Sequence, residues 1–186
     1  MRPGRPRWSQ YVPLFIPPHA DLFCGVKSVA SGDVQSPSEL IAQPDAIALD
    51  LPTDSGEAVI RALQARIAKL PAVKDAPRLL RDLLERAAVS SVCIAADVAL
   101  PHARTAAVDR LMLAIGRAPG PVAFDAEHPG VRLVFLIGTP KQAVTEYLRL
   151  VAGLSRLLKS DRVRAALLAA PTEAEFRAVL ARRAQP

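Results

Sequence analysis

The chain has 186 residues and a formal net charge of +6, with 51% hydrophobic, 23% charged and 4% aromatic side chains. This length predicts one globular domain, and because no apolar run approaches the ~20 residues of a membrane-spanning helix, membrane insertion is excluded. The scarcity of aromatic side chains and the interleaving of Arg with Glu and Asp favour a solvated helix face over a nucleic-acid surface.

The first 35 residues differ from the rest of the chain. They are basic, contain five prolines and show no sustained apolar period, so residues 1–35 are predicted to be a poorly ordered tail or extension, and His19 within them is given no function. Residues 36–186 are predicted to form the folded domain.

Two amphipathic helices are predicted next. Residues 54–57 have the spacing of a capping box, with Asp54 in the capping position, and open a helix that ends near Pro71. Asp75 is predicted to cap a second helix with Pro77 in its first turn. The apolar stripe of this second helix is Leu79, Leu80, Leu83 and Leu84.

Three strands are predicted after these helices. Residues 92–100 form the first strand, which Pro101 closes because proline cannot donate to a sheet ladder. Residues 111–115 form the second, bounded by a Gly- and Pro-containing turn at 116–120, and residues 131–137 form the third. Residues 122–124 either extend the turn or pair at an edge. The continuous apolar character of these strands predicts a sheet covered on both faces.

The last third of the chain is predicted to be helical. Thr139 and Pro140 are predicted to cap and open a long helix, Ser160 a short one, and the capping box at residues 172–175 a third. The predicted inward stripe of the long helix is Val144, Tyr147, Leu148, Val151, Leu154 and Leu158. Helices, strands and helices in this order predict an α/β sandwich, a mixed sheet with helices on both faces.

Cysteine spacing predicts neither a metal site nor a disulfide framework. Cys24 and Cys93 lie far apart, with no CxxC pair and no Cys/His ligand spacing, so we predict no metal and a reduced, cytoplasmic compartment. Cys93, on an apolar strand, is interpreted as a small buried hydrophobe. His128, in the turn before the last strand, is interpreted as solvated.

One short motif carries a resemblance to a known family. Residues 98–104 read Val-Ala-Leu-Pro-His-Ala-Arg, and the surrounding order of elements, with the segment 126–137 and the helix at 147–158, resembles the type-2 enzyme IIA domain of the bacterial phosphotransferase system. Fructose, mannitol and nitrogen-regulatory proteins contain this domain. The family's pattern of an apolar residue, Ala, an apolar residue, Pro, His and then Gly or Ala is matched at all six positions.

The resemblance implies a phosphocarrier. His102 would accept a phosphoryl group from the histidine-containing phosphocarrier protein and pass it to a cysteine or histidine of an enzyme IIB, or use it as a regulatory signal. An imidazole suits this role because its ordinary pKa of about 6.5 leaves it neutral and nucleophilic near pH 7. Such a transfer depends on positioning and charge stabilisation, so no cofactor is expected.

The resemblance also assigns neighbours to this histidine. The family has an arginine sixteen residues before its histidine, where Arg86 stands, and its guanidinium would hold the phosphoryl oxygens in a bidentate contact. Arg104 would be a second cation. The alternative for both is an ordinary surface arginine.

Two departures from the family pattern concern this same site. The family's glycine-rich turn is replaced here by residues 87–97, in which only Ser91 survives as a candidate phosphoryl neighbour. Tyr147 stands where many members have a second histidine; its phenol can donate a hydrogen bond to the phosphoryl group, or it simply fills the core. These departures leave a second function open: an enzyme IIA-like binding module that regulates a partner protein by contact, without phosphoryl transfer.

Overall fold

The computed structural model describes residues 37–184, which form six helices and six strands. The helices are α1 (Pro37–Ala42), α2 (Gly56–Ile67), α3 (Ala76–Val89), α4 (Val144–Leu158), α5 (Asp161–Ala169) and α6 (Glu173–Ala184). The strands are β1 (Ala46–Ala48), β2 (Cys93–Ala95), β3 (Val98–Ala99), β4 (His102–Thr105), β5 (Met112–Val122) and β6 (Val131–Pro140). The tail predicted at residues 1–35 lies outside the described residues.

The six strands form one mixed sheet in the order β1-β5-β6-β3-β2, in which β4 also pairs with β6. The two long central strands, β5 and β6, are antiparallel. Strands β3 and β4 both run parallel to β6, and β4 lies beside the C-terminal end of that strand. The parallel arrangement brings the end of β4 and the end of β6 to the same edge of the sheet.

Helices cover both faces of this sheet, as predicted. Alternate residues of β6 point to opposite sides: Val134 and Leu136 join the core formed with α2 and α3, whereas Phe135 and Ile137 join the core formed with α1, α4, α5 and α6. All four side chains are fully buried. The α/β fold class with a mixed sheet is therefore confirmed.

Most of the predicted helix starts are correct. Asp75 accepts a hydrogen bond from the Arg78 amide at 2.9 Å, and Ser160 and Thr172 accept from the third residue after each of them. The cap of α2 is Ser55, whose hydroxyl accepts from the Ala58 amide, so the predicted position at Asp54 was wrong by one residue. Serine and aspartate cap equally well, and their adjacency made the choice ambiguous.

The first predicted strand is wrong in detail. Residues 92–100 do not form a single strand: β2 and β3 make a tight antiparallel hairpin, with Cys93 paired to Ala99. Pro101 does not end the strand region either, because its carbonyl accepts from the Ile137 amide at 2.8 Å and the chain continues as β4. Proline lacks only the backbone N–H donor, so its carbonyl oxygen can still accept a hydrogen bond from the neighbouring strand.

The predicted turn at 116–120 is also wrong. Strand β5 continues through these residues to Val122, which pairs with Val131. The pairing is irregular between Arg117 and Val122, and this irregularity accommodates prolines, which cannot donate to the neighbouring strand. Gly116 lies in the strand, where a Cβ atom would overlap the Leu51 side chain. This glycine allows close packing of helix and loop side chains on the sheet, and no turn requires it.

The long helix begins later than predicted. Thr139 and Pro140 are buried in the last residues of β6, and α4 begins at Val144 without a side-chain cap. Its buried residues are Leu150, Leu154, Leu157 and Leu158. Val144 and Leu148, predicted to face inward, are 40% and 50% exposed. Elements α1 and β1, only six and three residues long, were not predicted.

Within residues 37–184 the structure contains no helix that combines the length and the apolar character needed to cross a membrane.

Asp45 joins β1 to the centre of the sheet. Its side chain is 5% exposed; it accepts from Arg110 at 2.6 Å and from the Leu113 amide at 2.8 Å. We expect Asp45→Ala to lower the free energy of unfolding by about 1–3 kcal/mol, because a buried amide loses its acceptor. Urea unfolding measures this.

The matched control for Asp45 is Asp161→Ala. It removes an ion pair to Arg164 in which the carboxylate is 91% exposed, and such pairs contribute at most about 1 kcal/mol. Equal losses for the two variants would contradict the role given to Asp45.

Candidate functional site

A cavity of about 490 Å³ opens where α3, β4 and the start of α4 meet. It brings together four of the residues singled out in the sequence: His102 and Arg104 from β4, Arg86 from α3 and Tyr147 from α4. The full lining comprises Arg78, Asp82, Glu85, Arg86, Val89, His102, Ala103, Arg104, Lys141 and Tyr147.

His102 is held in one tautomer by the backbone. Its Nδ1 lies 2.9 Å from the carbonyl oxygen of Leu100, and a carbonyl can only accept, so Nδ1 carries the proton. Nε2 therefore carries the free lone pair of the neutral ring. The bond spans Pro101, whose fixed φ angle holds the short path from Leu100 to His102. The geometry provides a nucleophilic nitrogen on a side chain that lines the cavity.

The environment keeps this ring neutral. The pKa of His102 is lowered from its ordinary value, mainly because partial burial disfavours the charged form and also because the positive charge of Arg86 opposes it. The hydrogen bond to Leu100 acts in the opposite direction. A lowered pKa increases the neutral fraction at pH 7, which is the form able to attack phosphorus.

We expect an imidazole NMR titration of His102 to have its midpoint below pH 6.5, the ordinary value. At a pH between the lowered pKa of His102 in the folded chain and its ordinary pKa in the unfolded chain, the unfolded chain binds more protons than the folded chain. The His102 contribution to the free energy of unfolding is therefore full above about pH 6.5 and is lost as the pH falls toward the folded pKa. Arg86→Ala should move the midpoint upward. A midpoint at or above that of a histidine peptide would contradict this account of the site.

Tyr147 packs beside His102. The two ring centroids are 5.7 Å apart and the planes are inclined by 36°. Burial raises the pKa of the Tyr147 hydroxyl, against an opposing influence of Arg86 and Arg104. The phenol is therefore neutral at physiological pH and retains its proton for hydrogen bonding.

The two arginines line the cavity together with the histidine but have different hydrogen-bond partners. Arg86 donates from Nη1 to the hydroxyl of Ser90. Arg104 donates from Nη2 to the carbonyl oxygen of Lys141 at 2.9 Å. A guanidinium has five donors, so each arginine retains N–H groups that can bind an anion in the cavity.

Two further cations line the cavity that the sequence interpretation did not include, Arg78 and Lys141. Arg78 lies two turns before Arg86 on α3, and this helical spacing was available in the sequence. Lys141 follows β6, and only the parallel pairing of β4 with β6 brings it to Arg104. Asp82 and Glu85 offset part of this charge, and Asp82 lies 3.8 Å from the Arg78 guanidinium.

Ser91 does not line the His102 cavity. Its hydroxyl donates to Asp125 at 2.7 Å and accepts from the Cys93 amide at 3.2 Å, and it lines a second cavity of about 330 Å³. Ser91 therefore lies apart from the four predicted site residues that line the first cavity.

The fold and the site together define a class of protein: an α/β domain with helices on both faces of a mixed sheet and a histidine among cations at a sheet edge. A sequence model of the "Phosphoenolpyruvate-dependent sugar phosphotransferase system, EIIA 2" family matches residues 40–183. The chain belongs to this family, the type-2 enzyme IIA proteins.

Two relatives show the extent of the similarity. The chain is 30% identical over 136 residues to the fructose-specific EIIA component of Haloferax volcanii. The alignment covers 73% of this chain and 88% of the relative. The chain is 29% identical over 139 residues to the 2-O-alpha-mannosyl-D-glycerate-specific EIIABC component of Escherichia coli, which covers 73% of this chain. The chain spans only 21% of that second relative.

Solved structures share the fold. Nitrogen regulatory protein IIA-Ntr from Neisseria meningitidis superposes with a TM-score of 0.69 at 24% identity, covering 76% of this chain and 99% of that one. Enzyme IIA of the mannitol system of Escherichia coli, in its complex with phosphorylated enzyme IIB, superposes with a TM-score of 0.65 at 22% identity. The superposition covers 75% of this chain and 96% of that one.

Proposed function

We propose that this protein is a phosphocarrier in which His102 Nε2 accepts and donates a phosphoryl group. The observation that carries this proposal is the hydrogen bond from Nδ1 to the Leu100 carbonyl oxygen, which leaves Nε2 as the free nucleophile of a neutral ring. The lowered pKa of His102 supports it. Family membership supports the same chemistry.

The transfer balances without an added base. The lone pair of Nε2 forms a bond to phosphorus as the bond between phosphorus and the donor's nitrogen breaks, and the donor imidazole leaves as a neutral group. The proton on His102 Nδ1 stays where the Leu100 carbonyl holds it. In the second step an acceptor thiolate or imidazole attacks the same phosphorus, and His102 returns to its neutral form.

The cavity supplies the charge that a phosphorylated histidine requires. The phosphoryl group adds nearly two negative charges, and Arg78, Arg86, Arg104 and Lys141 line the cavity with His102. We propose that Arg86 and Arg104 bind the phosphoryl oxygens through their free N–H groups. Tyr147 donates from its hydroxyl to the same group. These contacts favour the phosphorylated form and position it for in-line transfer.

The proposed donor is the histidine-containing phosphocarrier protein, and the proposed acceptor is an enzyme IIB or a regulated target, with the exchange taking place in the cytoplasm. The mannitol enzyme IIA with the same fold was solved in complex with phosphorylated enzyme IIB. Relatives include both sugar-specific components and nitrogen regulatory proteins.

A second candidate function is regulation of a partner by surface contact alone. It is favoured by apolar side chains exposed around the cavity: Val89 lines it and is 83% exposed, and Val144 and Leu148 lie on α4 close to Tyr147. Exposed apolar residues of this kind are typical of contact surfaces. In this case binding to the partner would be independent of phosphorylation.

The test is transfer from labelled phosphoenolpyruvate through enzyme I and the histidine-containing phosphocarrier protein. We expect one acid-labile phosphoryl group per chain, and its discharge on addition of an enzyme IIB. An unlabelled chain, in a mixture that labels an authentic enzyme IIA, would overturn the phosphocarrier proposal. It would leave contact regulation as the better account.

A further inference from the structure

Three side chains with metal-binding atoms converge away from the His102 cavity. Cys93 lies on β2, and Asp125 and His128 lie in the loop between β5 and β6. Their sulfur, oxygen and nitrogen atoms all lie within 4.8 Å of one another, and each residue is partly buried. The sequence separation of Cys93 from the other two is why spacing alone predicted no metal.

The structure corrects two interpretations of these residues. His128 is not simply solvated: its side chain is 23% exposed and its Nδ1 lies 2.8 Å from Asp125 Oδ1. Cys93 is not enclosed by apolar side chains alone, because a carboxylate and an imidazole lie beside its thiol. Burial raises the pKa of the Cys93 thiol to about 11, so the cysteine is not a reactive nucleophile.

Asp125 is fixed in place before any cation arrives. Its Oδ1 accepts from the amides of Glu127 and His128, and its Oδ2 accepts from the Ser91 hydroxyl at 2.7 Å. Ser91 in turn accepts from the Cys93 amide. Ser91 therefore links the strand that carries the sulfur to the loop that carries the oxygen and nitrogen. Hydrogen bonds of this kind orient metal ligands in characterised sites.

We propose that Cys93 Sγ, Asp125 and His128 bind a zinc ion, with water completing a tetrahedral coordination. Zinc bonds of 2.0–2.3 Å place neighbouring ligand atoms roughly 3.3–3.8 Å apart. The three ligand atoms already lie within 4.8 Å of one another, and His128 Nδ1 lies 2.8 Å from Asp125 Oδ1, so side-chain rotation adjusts the separations to these values. The thiol proton leaves to solvent on binding. The imidazole of His128 binds through one ring nitrogen and carries a proton on the other.

The donor set selects the class of cation. Sulfur, imidazole nitrogen and a carboxylate oxygen are a combination that zinc accepts, whereas magnesium and calcium require oxygen ligands. A thiolate and a carboxylate together neutralise a divalent ion. The bound ion would join β2 to the β5–β6 loop and would not depend on His102 or on its phosphorylation.

The experiment uses Co²⁺ as a spectroscopic probe of the full chain after chelator treatment. We expect a thiolate-to-cobalt charge-transfer band and tetrahedral d–d bands that saturate at one ion per chain and disappear when Zn²⁺ is added. Cys93→Ala should abolish the charge-transfer band. Ser91→Ala, which removes only the orienting hydroxyl, should weaken zinc binding roughly 10- to 100-fold in competition with a chromophoric chelator.

The matched control is Cys24→Ala, which removes the other cysteine of the chain and should leave the bands unchanged. Circular dichroism of each variant checks that it is folded. Absence of the charge-transfer band in the wild type would overturn the zinc proposal, as would its persistence in folded Cys93→Ala or its loss in Cys24→Ala. None of these outcomes affects phosphoryl transfer to His102, so the two proposals are tested separately.

Discussion

His102→Ala is expected to abolish phosphorylation of the chain by the phosphoenolpyruvate-dependent donor system, a loss of at least about 1,000-fold in the labelling rate. The variant removes the nitrogen that bonds to phosphorus, and Tyr147 and the arginines offer no replacement nucleophile at neutral pH. Labelling is measured by rapid quench at alkaline pH, where a phosphohistidine survives. Its loss on brief acid treatment identifies the histidine adduct.

The control for this prediction is His19→Gln, which removes another imidazole from a position outside the described residues. It should label at the wild-type rate. The cavity left by His102→Ala is at the edge of the sheet, so thermal unfolding should stay cooperative. Equal labelling of folded His102→Ala and wild type would show that the phosphoryl acceptor is another residue.

Arg86→Ala is expected to slow phosphoryl transfer to His102 about 10- to 150-fold. This corresponds to the loss of charge-assisted hydrogen bonds worth about 1.5–3 kcal/mol. Arg86 lines the cavity, and its charge already lowers the pKa of His102. The variant should therefore also shift the pH dependence of transfer toward higher pH. A residue that only stabilised the end of α3 would not change that profile.

Two further variants test whether the guanidinium group of Arg86 has a specific role beyond its positive charge. Arg86→Lys keeps the charge but loses the planar fork, so its rate should lie between those of wild type and Arg86→Ala. Arg81→Ala removes an exposed arginine from the same helix, outside the cavity lining, and should leave the rate unchanged. If Arg81→Ala and Arg86→Ala slow transfer equally, general electrostatic attraction of the donor protein would explain the effect, and Arg86 would have no specific role.

The fold could be predicted in outline because its strongest signals are local. Caps such as Asp75 and Ser160 form hydrogen bonds within three residues, so the sequence contains both partners. Strand bounds were less predictable. Whether residues 92–100 form one strand or a hairpin depends on the pairing of β3 with β6, more than thirty residues away.

The choice of which face of α4 is buried was also hard to predict from the sequence. Apolar residues surround much of this helix, so several inward stripes are compatible with its sequence. Contacts with α1 and the sheet select Leu150 and Leu157, and leave Leu148 half exposed. The hydrophobic pattern identified the helix and part of its buried face, Leu154 and Leu158, but not the whole of that face.

What the sequence determined by itself is the family and the proposed nucleophile: a Pro-His pair in a matching motif, with an arginine at the expected spacing. Only the tertiary structure decided which groups share the site. It brought Arg78 and Lys141 to His102, moved Ser91 to a second cavity and placed Cys93 beside Asp125 and His128. The physical reason is that strand pairing joins residues far apart in sequence, and the direction of each pairing is set by the whole sheet.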